Sequence, residues 1–87
     1  MKIKAGFVVR EIAGQSVVVA LGTANKDFDG MIKLNSTGRL IWDMLSIGAQ
    51  TEDIVKRITE EYEIDADTAR KDAIAFINTL QGAGILE

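Results

Sequence analysis

The chain has 87 residues, of which 47% are apolar, carries a net charge of −3 and contains neither cysteine nor histidine. That length supports one domain, residues 1–87, built on one small core. The composition removes disulfides, thiolate nucleophiles, imidazole bases and histidine metal ligands, so neither a metal nor a cofactor is expected.

The charge is unevenly spread: residues 1–42 hold six basic and three acidic side chains, residues 43–87 four and ten. The acidic second half opposes binding to a phosphate backbone, which draws its affinity from Lys and Arg, so no nucleic-acid partner is expected. No apolar run reaches the roughly 20 residues of a membrane-spanning helix, and the start of the chain lacks the apolar stretch of a signal peptide. The expectation is a cytoplasmic protein with no membrane partner.

In chain order, residues 7–12 and 16–21 predict the two strands of a hairpin. Val8, Val9, Ile12, Val17, Val18 and Val19 are β-branched and stiff at χ1, which favours pleated structure. The link Ala13-Gly14-Gln15 supplies a glycine for positive φ. A polar loop over 22–30 follows, then a short third strand over 31–34. The loop holds Asn25, Asp27, Asp29 and Gly30, the first half of a calcium-loop pattern. Its second half fails, because Ser36 stands where the bidentate Glu belongs and Lys33 sits among the ligand positions. An ordinary Asp/Gly turn is the better reading.

Three helices complete the prediction. Asn35 or Ser36 can cap the first, over about 36–46, which carries Leu40, Ile41, Met44 and Leu45 at helical spacing and stops near Gly48. Trp42, the only Trp, is read as a core anchor. Thr51 can cap the second helix, where Ile54, Val55, Ile58 and Tyr62 share a face. Asp65 can cap the third, with Asp67 complementing its positive end, and Ala69, Ala73, Phe76, Ile77 and Leu80 form its apolar stripe. Gly84 before Ile85 and Leu86 has the pattern of a Schellman ending. The order strand, strand, strand, helix, helix, helix predicts an α+β domain in which an antiparallel sheet covers a helical cluster. The third strand leaves an edge guarded only by Lys33, to which a partner segment can add as a further strand.

Phe7-Val-Val-Arg10-Glu-Ile-Ala-Gly14, Leu34-Asn35-x-x-Gly38-x-x-Ile41-Trp42, Glu61-Tyr62, Asp72 and Gly84-Ile-Leu86 form an ordered set that resembles the coenzyme PQQ synthesis protein D family over nearly the whole chain. The resemblance implies a winged-helix-like domain, a RiPP recognition element. Such a protein is a peptide chaperone rather than an enzyme, a monomer or weak dimer. It holds the leader of a ribosomally made precursor peptide as a strand added to the third β-strand, beside the third helix, and presents it to a modifying enzyme such as a radical SAM protein. Carried onto this sequence, the resemblance puts the peptide edge at Met31, Ile32 and Lys33 and the facing helix at Ala69, Arg70, Ala73, Phe76 and Ile77. Small Ala69 and Ala73 would leave room for an anchor side chain or allow close helix packing. Phe76 and Ile77 also fit a core stripe, and Arg70 could pair with a leader carboxylate. In the signature itself Asn35 caps, Gly38 permits close approach and Trp42 fills the core.

Two other classes compete. The helix pair 51–62 and 66–83 could form a helix-turn-helix of a DNA-binding winged helix or regulator, although the would-be recognition helix opens with Asp65 and Asp67 and has only Arg70 and Lys71 as nearby cations. An enzyme would have to work with carboxylates alone.

Overall fold

A computed structural model describes residues 2–22 and 32–87. Within them β1 (Phe7–Ile12), β2 (Gln15–Ala20) and β3 (Ile32–Leu34) precede α1 (Ser36–Ser46), α2 (Thr51–Tyr62) and α3 (Ala66–Gly82), the predicted α+β order. The strands form one antiparallel sheet in the order β1-β2-β3. Met31 and the acidic turn pattern over 25–30 lie outside the described residues.

The hairpin turns in two residues, not three. Ile12 pairs with Gln15, and Ala13 and Gly14 between them take φ of +53° and +79°, the two positive values of a type I′ turn whose twist suits the flanking strands. β2 therefore begins one residue earlier than the sequence suggests. Gly14 accepts this conformation freely, whereas at Ala13 the Cβ makes it cost about 1–2 kcal/mol, which the pairing on either side must offset.

Register sorts the strands into two faces. Phe7, Val9, Val18, Ala20, Ile32 and Leu34 face the helices and pack with the core, while Val8, Arg10, Val17, Val19 and Lys33 face the other way. The core is completed by Ile41, Trp42 and Leu45 from α1, Ile54, Val55 and Ile58 from α2, Ala69, Ala73, Ile77 and Leu80 from α3, and Ile85 and Leu86 beyond it. Trp42 is buried, as an anchor should be. Tyr62, expected on the inner face of α2, is instead exposed at its last turn.

The helix ends follow local chemistry. Asn35 Oδ1 accepts from the Gly38 N–H at 2.7 Å, and Asp65 Oδ1 accepts from the Thr68 N–H at 2.7 Å, which satisfies one orphan donor in each helix. Thr51 is the first residue of α2 rather than its cap; the cap is Gln50, whose N–H donates to Asp53 Oδ2. α3 ends in a Schellman motif: Gly84 has φ +74°, its N–H reaches the Gln81 carbonyl, and the Ile85 N–H reaches that of Leu80. The chain then returns to pair with its own beginning, the Lys4 N–H donating to Ile85 O and the Glu87 N–H to Lys2 O around an Ile3–Leu86 bridge. The sequence gives no periodic signal for so short a pairing.

Candidate functional site

The outer edge of β3 has no strand beside it among the described residues. Which backbone groups it offers follows from the hairpin. A two-residue loop makes Ile12 and Gln15 a hydrogen-bonded pair, so Gln15 turns its N–H and C=O toward β1 and Ser16 and Val18 turn theirs toward β3. Their partners Leu34 and Ile32 must face back. Consistently, the Leu34 carbonyl accepts from Gln15 Nε2 at 3.4 Å on the β2 side. Lys33 is thus the residue of β3 that turns its N–H and C=O to the open edge.

Beside the end of β3, α1 and α3 part to leave a cleft of about 330 Å3. Asn35, Thr37, Gly38 and Ile41 line one wall, and Asp72, Ala75, Phe76 and Thr79 of α3 line the other. Gly38 is a point of close approach. A β-carbon there would lie 3.2 Å from Asn35 Oδ1, 3.3 Å from Phe76 Cε1 and 3.6 Å from Leu34 Cδ2, so the missing side chain lets the Phe76 ring and Leu34 converge over the first turn of α1. This is the close approach expected of Gly38.

The sequence-derived peptide-binding residues fall in different places. Ile32 and Lys33 are on the edge strand, Ile32 half-buried against the core and Lys33 exposed; Met31 is outside the described residues. Phe76 lines the cleft, half-buried. Ala69 and Ala73 are 0% exposed and Ile77 6%, all within the core. Arg70 points to α2, where Nε and Nη2 donate to the two carboxylate oxygens of Glu52 at 3.3 and 2.8 Å. The hydrogen bond and charge of Glu52, with Asp67 adding a smaller attraction, push its pKa further above the usual arginine value. Of the two cations near the start of a would-be DNA-reading helix, Arg70 is therefore already engaged, which leaves Lys71.

At about 100° per residue, the stripe Asp72, Ala75, Phe76, Thr79 lies roughly a quarter turn around α3 from the buried stripe Ala69, Ala73, Ile77, Leu80. Sequence reading found the second and missed most of the first. The available signal was weak: Asp65, Thr68, Asp72, Ala75 and Thr79, small or polar residues recurring at helical spacing along one border of the apolar face.

A model of the family described as coenzyme PQQ synthesis protein D matches residues 15–86. No curated protein sequence matches the chain. Among solved structures, TbiB1 in complex with the TbiA(beta) leader peptide is similar over 100% of this chain and 95% of its own, with 31% identity and a TM-score of 0.80. Lasso peptide synthetase B1 complexed with the leader peptide is similar in fold over 99% of this chain and 95% of its own, with 23% identity and a TM-score of 0.79.

Proposed function

The chain belongs to the coenzyme PQQ synthesis protein D family, and from that premise we propose that it is a peptide-binding adaptor: it captures the leader of a ribosomally made precursor peptide as a fourth strand on β3 and presents it to a modifying enzyme, of which a radical SAM protein is one type. The observation that carries the reading is the end-to-end similarity to TbiB1, a protein solved with a leader peptide bound. The open edge of β3 supports it, since an unpaired row of N–H and C=O groups is a template for strand addition. The cleft beside Phe76 adds a pocket for side chains at the end of that strand. With no Cys or His in the sequence, the protein is read as a binder that leaves catalysis to its partner.

Fluorescence anisotropy tests this. The labelled probes are the TbiA(beta) leader and the N-terminal segments of short precursors encoded beside the gene. At least one should bind saturably at micromolar concentration or below, and its scrambled version should not; failure of every probe would count against the adaptor. Proline locates the interaction, because it removes one backbone donor. Lys33→Pro removes an outward N–H, so the melting temperature should stay within several degrees while most binding is lost. Ile32→Pro removes an inward N–H and should destabilise the sheet. A folded Lys33→Pro variant with undiminished binding would move the peptide to another surface.

A further inference from the structure

From the charges on the two sides of the β3 edge, we infer that the protein selects a leader strand of alternating charge, with an apolar anchor and, two residues from it, a Lys or Arg on the side facing the helices and a carboxylate on the opposite side, Asp72 being the residue that reads the cation. This rests on the adaptor reading and deepens it.

The cleft has an apolar floor of Gly38, Ile41, Ala75 and Phe76. Asp72 is its one charged lining residue, and no ion pair or hydrogen bond engages its carboxylate among the described residues. Of the other polar groups, Asn35 Oδ1 caps α1 and the Thr79 hydroxyl donates to the Ala75 carbonyl, while Thr37 adds a neutral hydroxyl. Arg70 is held by Glu52 on the far side of α3.

An exposed carboxylate loses little while it faces water. A side chain that fills the floor displaces that water, and the carboxylate then loses solvation unless the occupant supplies a donor. A plain apolar residue satisfies the floor and leaves Asp72 worse off. An apolar residue with a neighbouring ammonium or guanidinium satisfies both, and a carboxylate in that place is repelled.

The other half of the pattern comes from strand geometry. Side chains on an added strand alternate between the two faces of the sheet. Leu34, whose side chain converges with Phe76, faces the helices, while Lys33 faces away. A leader residue opposite Lys33 shares its face, where an acidic side chain is favoured and a basic one opposed. Cleft-facing and Lys33-facing residues therefore have opposite parity along the leader and opposite preferred charge.

A random peptide library displayed on phage tests the inference without knowledge of the natural leader. Selected on the wild-type protein, it should enrich peptides with an apolar residue two positions from a Lys or Arg and with Asp or Glu at positions of the other parity. Selection on Asp72→Asn should lose the basic preference while keeping the apolar one, and on Asp72→Lys the preference should turn acidic. For one enriched peptide, exchanging its basic residue for Glu should weaken binding to wild type by roughly tenfold or more and leave binding to Asp72→Asn much less affected. Asp72 is exposed, and melting curves identify any variant that does not fold; Asp72→Asn alone then decides. If wild type enriches peptides whose basic preference is unchanged in Asp72→Asn, Asp72 does not read charge and the inference fails while the adaptor stands. If wild type enriches nothing, the adaptor reading itself fails.

Discussion

Ala73 and Ala75 stand two residues apart in α3 and are the same side chain in opposite circumstances. Ala73 is 0% exposed and packs with Leu80 and Ile77 in the core, while Ala75 lines the cleft opposite Gly38 and Ile41. The comparison extends along the helix: one face is filled by the fold, and the face a quarter turn away leaves space that the fold does not use. Small residues serve close packing on the first and vacancy on the second. Residue type alone does not separate the two uses.

The sharpest way to break this comparison is to make the same substitution at both positions. Ala73→Leu inserts methylenes into a closed core and should cost about 1–3 kcal/mol, seen as a lower melting temperature and denaturation midpoint. Ala75→Leu adds them to an open cleft, where stability should change by no more than about 0.5 kcal/mol, yet leader binding should fall because the floor is occupied. Equal stability losses at the two sites would mean that the cleft wall is packed like the core. A fully binding Ala75→Leu would mean that the peptide does not enter the cleft.

Periodicity explains which parts were legible. The three strands, the three helices, the caps at Asn35 and Asp65 and the Gly84 ending all follow from patterns that the backbone itself imposes: alternation, the 3.6-residue stripe and orphan donors at helix ends. The same stripe does not separate groove from core. Hydrophobic spacing offers Ala69, Ala73 and Ile77 for either role, and the fold buries all three. Arg70 was likewise a candidate for a leader carboxylate because its partner, Glu52, lies 18 positions away on another helix. The parity of β3 waited on the turn, since only a two-residue loop, with Ala13 as well as Gly14 at positive φ, determines which way Lys33 faces.

A smaller change probes whether the cleft wall can move. Gly38→Ala gains about 1 kcal/mol or less in helix propensity, opposed by a β-carbon 3.2 Å from Asn35 Oδ1 and 3.3 Å from Phe76 Cε1. The net change in stability should stay within about 1 kcal/mol in either direction. A Phe76 ring that yields toward the cleft relieves the crowding, and leader affinity should then fall more than stability does. If affinity is unchanged, the ring is not part of the binding surface.

The smallest effect separates two acids on one stripe. Asp65 and Asp72 are seven residues apart and lie on the same side of α3, but only Asp65 is committed to the backbone, through the Thr68 N–H at 2.7 Å and the Thr68 hydroxyl at 3.1 Å. The Thr68 backbone hydrogen bond is the main reason its pKa lies below the ordinary aspartate value, with the hydroxyl second. A carboxyl with a lowered folded pKa favours folding above its unfolded pKa, about 3.9, and loses that contribution as pH falls through the folded value. In Asp65→Asn an acceptor remains but the charge is gone. Wild type should therefore melt higher than Asp65→Asn at pH 7, and the gap should narrow below about pH 4. Asp72→Asn should melt close to wild type at pH 7, since no cap depends on it. Conversely, Asp65→Asn should leave the charge preference for peptides unchanged. A shift in that preference would place Asp65 within the peptide's reach and extend the binding track to the start of α3.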